Sequence, residues 1–517
     1  YGNGGATTVN LDAGTLSTAR PISDGSSGSA INFNGGTLQA AASIDLLPNS
    51  NITANVNAGG LVVDTQGFTA TISETLVHGT GSPDGGLTKL GTGTLYITAS
   101  NTYTGATTID EGTLVFSGNG RTLAGNSVVV NNGGTLTFGR NDTWGNHATT
   151  SSAAITVNAG GTLSPGGRFQ ALWNTTMNGG TILLNGGVNA TYPTFQLAGT
   201  FTVGGTTPST INVGSGSNNM INITGNGNST LTMDVADATS SPAADLTINA
   251  VLQNSPFGGN LTKTGAGTMV LSGANTFTGN VQVAGGTLID TVQANNASPT
   301  ATGLGNMTVG GRTVTVSNGG TLVFDASDAM GSYQYKTPVM LIADGGTITN
   351  GNGRFMSIGD VTLRNGGTLN ADNGAAAGYQ AFNLRGAITV DGTSGSFITA
   401  TGTTNAGIHL GGTTIPATTF NVASTGDPTA DLIVSAPLRD EVYNTGGLIK
   451  TGAGTMVLSG ASTYAGQTLV QNGTLNVAAG GSLSGAGLIN ATGGGVLTID
   501  GTVTQANGQV FSVGTGI

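Results

Sequence analysis

Apolar and polar residues alternate along nearly the whole chain in short runs, each broken by a glycine-rich corner. Val128 and Val130 precede one corner and Leu136 and Phe138 follow it; Val314 and Val316 precede another, and Leu322 and Phe324 follow. Alternation with a period of two predicts half-buried strands. The corner itself reads Asn/Asp/Ala-Gly-(Gly)-Thr-Leu, as at Asp12–Leu16, Asn34–Leu38, Asn132–Leu136, Asn318–Leu322 and Asn365–Leu369. Asn-Gly and Gly-Gly supply the positive φ that a sharp corner needs, and the Thr and Val that follow suit a pleated surface. The corner glycines step regularly: Gly14, Gly36 and Gly60 lie 22 and 24 apart, and Gly112, Gly134, Gly161, Gly180 and Gly199 step by 22, 27, 19 and 19. A unit of about 22 residues, built as strand, corner and strand, predicts an all-β parallel β-helix, a single-stranded β-solenoid with roughly three short strands per turn. Stacked at the inter-strand spacing of ~4.8 Å, about 23 such rungs would make a rod on the order of 110 Å long. A propeller would need units of ~40 residues, and a sandwich would not keep this register.

A longer repeat overlies the rung. Gly85–Phe116 (GGLTKLGTGTLYITASNTYTGATTIDEGTLVF) reappears at Gly258–Ile289 and at Gly446–Val477. Lys89, Lys263 and Lys450 mark one position, 174 and 187 residues apart, and Tyr103, Phe277 and Tyr464 mark another. The run-ups to the second and third copies also agree, ADLTINAVL ending at Leu252 and ADLIVSAPL ending at Leu438. These repeats divide residues 1–517, read as one continuous solenoid, into modules 1–117, 118–290 and 291–478, with terminal rungs at 479–517.

The three segments closely resemble the autotransporter-associated β-strand repeat, also called the passenger-associated transport repeat. That resemblance implies a right-handed β-helix located outside the cell or on the bacterial surface. It departs from an autotransporter in one respect, because nothing like a translocating barrel of amphipathic strands precedes Ile517.

Composition narrows the function. Glycine supplies 91 of 517 residues, and only 13 Lys+Arg stand against 24 Asp+Glu, a net charge of −11. No basic patch can be assembled, which argues against a nucleic-acid partner. No apolar run approaches the ~20 residues of a spanning helix. The absence of cysteine excludes disulfides, thiolate catalysis and Cys-ligated metals, and suits export through a bacterial envelope. The chain starts at Tyr1 without a charged, then apolar, leader, so a mature product is expected.

Candidate chemistry is sparse. The chain has only four lysines, the fourth being Lys336. The three repeated lysines are expected to be structural, their stems snorkelling to close the corner of a rung, against the alternative of contacting a neighbouring molecule or forming an isopeptide bond. The repeated aromatics are expected in the core. A hydrolase would need facing carboxylates. Asp110-Glu111, Asp234 with Asp237, Asp325 with Asp328, and Arg439-Asp440-Glu441 are the clusters, and solvated loops explain them better. His78, His147 and His409 are scattered, and no GGxGxD nonapeptides, phosphate loop or zinc signature occurs. No enzyme and no cofactor are expected.

Both ends continue the alternation without a cap, so the ends, Tyr1 at one and Val510, Phe511 and Ile517 at the other, are candidate assembly surfaces. Head-to-tail contact of that kind generates filaments. The leading expectation is a secreted or cell-surface structural protein that self-associates end to end. The alternative is a monomeric adhesin that presents cell-surface or carbohydrate-binding loops at 140–147 and 168–174, which hold the only two tryptophans, Trp144 and Trp173.

Overall fold

A computed structural model describes residues 5–24, 28–118, 127–144, 153–223, 230–254, 258–294, 299–331, 336–376, 378–411, 416–441, 444–505 and 511–513. The chain folds as two compact units, 1–260 and 261–517, where the sequence led us to expect one continuous solenoid. Among the described residues there is no helix, and every strand ladder is parallel.

In the first unit one ladder runs from Thr15–Thr18 through Leu87–Leu90 to Thr230–Val235, and a second from Ile44–Leu47 through Thr94–Ile97 to Leu246–Ile248. The second unit repeats this pair of ladders, from Asn260–Thr264 to Phe511–Val513 and from Thr268–Leu271 to Gly495–Ile499. The Thr-Leu of each corner opens the second ladder. In the first unit Thr69, Thr94, Thr113, Thr135, Thr162, Thr181, Thr210 and Thr247 share one outward column, while the following residues, from Ala70 to Ile248, stack inward and are fully buried. This is the parallel β-solenoid that the alternation predicts.

Rung length varies more than the corner spacing suggests. Lys89 pairs with Ile109, Lys263 with Val283 and Lys450 with Val470, each 20 residues on, so the long repeat forms the tightest rung. Val281 to Val314 takes 33 residues and Phe201 to Met233 takes 32. The expected 23 rungs are therefore too many: among the described residues the first ladder has 21 strands, because long connections consume chain without adding rungs.

Two glycines are needed at a corner for different reasons. Gly133 sits at φ +85°, and at Gly134 a Cβ would lie 2.4 Å from the Ile109 carbonyl oxygen of the rung below. The Asn of the corner stacks as well: Asn131 donates to Asp110, Asn158 to Asn131 and Asn178 to Asn158, at 2.7, 2.7 and 3.2 Å. Such an amide ladder satisfies polar groups without interrupting the stack.

A third face is present only in places. Four parallel strands form it at Thr8–His78, and again at Met356–Asp440. Between Gln170 and Asn254 the registers 170–172, 195–197, 221–223 and 251–254 form another. Each of these three ladders immediately precedes one copy of the long repeat in the chain.

Candidate functional sites: repeat corners and covered third faces

The tight rung follows from how each repeated lysine is used. All three are fully buried on the first ladder. Lys89 Nζ donates to the carbonyls of Leu90, Gly91 and Glu111 at 2.9, 2.6 and 3.0 Å. Lys263 does the same to Thr264, Gly265 and Gly285, and Lys450 to Thr451, Gly452 and Asn472, all between 2.8 and 3.1 Å. Two acceptors lie in the lysine's own corner and the third in the next rung, so one ammonium ties two rungs together through its three N–H groups. Burial lowers Lys89 and Lys450 to about 8, with Asp64 and Glu111 pulling Lys89 upward and Asp431 doing so for Lys450. The side chains do not snorkel, because the acceptors lie inside the corner.

The aromatic position is also internal. Tyr103 and Tyr464 are buried, with hydroxyls 2.6 Å from Thr107 Oγ1 and 2.7 Å from Thr468 Oγ1. In the second copy both partners change together: Phe277 replaces the tyrosine, Val281 the threonine, and the Arg312 guanidinium lies 5.0 Å from the Phe277 ring. A buried hydroxyl is tolerated only with a partner, so the pair is either both polar or both apolar. Tyr103→Phe alone should cost about 1 kcal/mol by orphaning Thr107, and adding Thr107→Val should recover most of it; a double-mutant cycle in urea measures the coupling.

The model of the passenger-associated transport repeat matches residues 87–116, 261–289 and 448–477. This chain carries three passenger-associated transport repeats. A relative, the adhesin BmaC autotransporter of Brucella suis biovar 1 (strain 1330), is 31% identical over 302 residues, 52% of this chain. The chain spans 8% of that protein's length. A solved, hyper-glycosylated fragment of TibA aligns over 96% of this chain and 97% of its own at 14% identity, with a TM-score of 0.12, too low for a shared fold to be read from it. The transport repeats and the adhesin relative place the chain outside the cell, exposed at the bacterial surface or secreted.

Two expected ligand loops take a different form. Trp144 is only 5% exposed, packed edge-on to Phe138 at 6.4 Å, with its backbone N–H donating to Gln170 Oε1 at 3.0 Å. Trp173 lies in the nine-residue strand Gln170–Asn178, half-buried at the bulge between Leu172 and Asn174, and not in an inserted loop. Both corrections have one cause: covering apolar surface beside the rung favours burial of a large ring. His147 lies outside the described residues, as do Tyr1, Val510 and Ile517; Phe511 falls in the strand Phe511–Val513. The carboxylate clusters disperse. Asp325 pairs with Arg354 at the surface while Asp328 is buried, and Asp440 accepts the backbone N–H groups of Gly446 and Ala465 at 2.8 Å. Asp84 plays the same part before the first transport repeat, accepting from Thr104 and Gly105 at 2.7 Å with His78 Nδ1 also 2.7 Å away.

The third faces before the second and third transport repeats carry what sequence reading missed. Their middle outward column is Ala171, Gln196, Asn222 and Gln253 in the first unit and Ser357, Asn383, His409 and Arg439 in the second. Outward residues should be wet, yet Gln196, Asn222, Ser357, Asn383 and His409 are buried. In the first unit a connecting loop lies over the column: Asn222 Nδ2 donates to the Thr191 carbonyl at 3.1 Å and Gln253 Nε2 to that of Ala190 at 2.7 Å. The signal was available in a second pair of matching stretches, Gly167-Arg168-Phe169 with Tyr192 and Phe195-Gln196-Leu197, against Gly353-Arg354-Phe355 with Tyr379 and Phe382-Asn383-Leu384.

Charge is concentrated in the second of these columns. His409 Nδ1 lies 2.7 Å from Asn383 Oδ1, and Arg385 meets Glu441 in a buried pair at 2.5 Å while donating to the Gly411 carbonyl at 2.8 Å. Burial lowers His409 to about 4, Arg385 and Arg439 pushing the same way and Glu441 opposing. Burial raises Asp328 to about 6, with Arg385 opposing. Between pH 6.5 and 4 the unfolded chain protonates its histidine first, so His409 removes stability on acidification; between pH 6 and 3.8 folded Asp328 binds its proton first and returns it. Each is worth about 3 kcal/mol, so they nearly cancel. His409→Asn should therefore make the second unit gain about 2–3 kcal/mol as pH falls from 6.5 to 4, read from urea midpoints across that window.

Proposed function

We propose that this chain is the rod segment of a cell-surface, adhesin-type passenger that acts by display and not by catalysis. The observation that carries this reading is the internal use of the transport-repeat side chains. Lysine and aromatic are both consumed in closing the tight rung, so the repeats act as spacers, and the long connections between ladders are left to face a partner. The similarity to an adhesin supports the same reading. Beads coated with the chain should adhere saturably to cultured mammalian epithelial cells, and soluble chain should compete; beads that adhere no better than albumin-coated controls would overturn it.

A second reading, end-to-end assembly into an extracellular filament, rests on the second ladder of the second unit. In its strand Gly495–Ile499, Val496 is 52% and Ile499 39% exposed, although Val477, the register partner of Ile499, is fully buried. Electron microscopy of the purified chain over a concentration series decides it, with regular filaments expected on this reading and isolated particles at every concentration against it.

A further inference from the structure

Tyr192 and Tyr379 occupy one position in two separately folded settings. They lie 187 residues apart, as do Lys263 and Lys450. Each ring is held against the phenylalanine of a Gly-Arg-Phe stretch: Tyr192 meets Phe169 edge-on at 5.4 Å, and Tyr379 meets Phe355 at 4.9 Å with a tilt of 40°. Despite that support the tyrosines are 42% and 39% exposed, the most exposed large aromatics among the described residues.

The turns that carry them are fixed without the rings. Val188 and Asn189 donate their backbone N–H groups to the Tyr192 carbonyl at 3.1 Å, and Asn189 Oδ1 accepts from the Thr191 and Tyr192 N–H groups. Beneath them the buried column donates to Ala190 and Thr191. In the second unit Tyr379 and Ala376 exchange backbone hydrogen bonds at 2.8 and 3.4 Å. The residues between differ, Val188-Asn189-Ala190-Thr191 against Ala375 to Gly378, yet the aromatic returns at the same place. A rigid turn that holds one aromatic face half in water is a stacking surface. An arginine precedes the supporting phenylalanine in both units, Arg168 and Arg354, the latter in an exposed ion pair with Asp325 at 3.3 Å.

We propose that Tyr192 and Tyr379 are twin platforms on which a neutral pyranose sugar stacks, each with hydroxyl-binding polar groups from its Gly-Arg-Phe neighbourhood. A pyranose has a face of C–H groups that complements the negative face of an aromatic ring, and hydroxyl rims that both donate and accept. Arg354 and Asp325 together offer a donor and an acceptor with no net charge, and a chain of net charge −11 repels anionic sugars. The inference deepens the adhesin reading and rests on it, since it names the class of ligand.

The test uses the full chain with three probes, cellotetraose and a galactose-terminated neutral tetrasaccharide against a sialylated tetrasaccharide, followed by titration calorimetry. At least one neutral probe should bind two equivalent sites. Tyr192→Ala or Tyr379→Ala should each remove one of them, the double variant should bind at least about tenfold more weakly, and Tyr→Phe at both should retain binding. Failure of both neutral probes, equal binding by the double alanine variant, or equal binding of the sialylated probe would overturn the proposal. Urea midpoints of the variants separate loss of a platform from loss of fold. On cells, adhesion that survives in the double variant defeats this site and spares the adhesin reading; sugar binding without adhesion does the reverse.

Discussion

Replacing Lys89, Lys263 or Lys450 by methionine is expected to destabilise its unit by about 3 kcal/mol each, the largest single-residue effect in the transport repeats. Methionine keeps the length and much of the volume of the lysine stem, so packing changes little. It removes three N–H donors at once, and the carbonyls of Leu90, Gly91 and Glu111, or their counterparts, lose their shared partner inside a closed corner. Urea unfolding should show lower midpoints with unchanged slopes, in the first unit for Lys89 and in the second for the other two. Lys336 supplies the control. Its Nζ meets Asp360 at 3.0 Å with both side chains nearly half exposed, and its methionine variant should change stability by no more than about 0.5 kcal/mol. A cost below about 1 kcal/mol at Lys89 would mean that water can replace the ammonium in its corner.

Glu441→Gln should destabilise the second unit by a comparable amount, about 3 kcal/mol, because it leaves the Arg385 guanidinium buried without its counter-charge. The partner loss matters more than the pair itself. Taking two charges out of water costs nearly as much as their attraction returns, so the double variant Arg385→Met, Glu441→Leu should lie well above the single variant in stability and within about 1–2 kcal/mol of the natural protein. The same single change also removes the charge that supports a protonated His409, so its acid sensitivity should move to lower pH, which the imidazole resonances of the folded chain would report. A double variant as damaged as the single one would show that Arg385 acts chiefly through its hydrogen bond to the Gly411 carbonyl, 2.8 Å away.

The strand periodicity, the Gly-Gly corner and the three transport repeats were legible because each depends on neighbours in sequence. Alternation marks which side chains point inward, and a corner glycine is required by its own φ and by the carbonyl one rung below. The lysine corner was half legible. Its recurrence marked a closing role, but the depth of the ammonium was not readable, since two of its acceptors come from local backbone and the third from a rung 22 residues away. Trp144 and Trp173 were misread as ligand loops because a break in alternation looks the same whether the ring projects or folds back onto Phe138 or into a strand bulge.

By itself the sequence determined that the chain is an all-parallel β-solenoid, where each corner lies, and which stretches repeat, because those properties follow from side-chain period and backbone freedom. Only the tertiary structure decided rung count and covering. The first ladder advances seven strands from each transport repeat to the next, although the lysines lie 174 residues apart in one interval and 187 in the other. Pairing fixes the number of rungs while connections absorb extra residues at small entropic cost. Whether an outward column such as Asn10, Asn32 and Asn55 stays partly open, or one such as Asn383 and His409 is buried, depends on a loop crossing over it from elsewhere in the chain, and no local pattern in the strand records that.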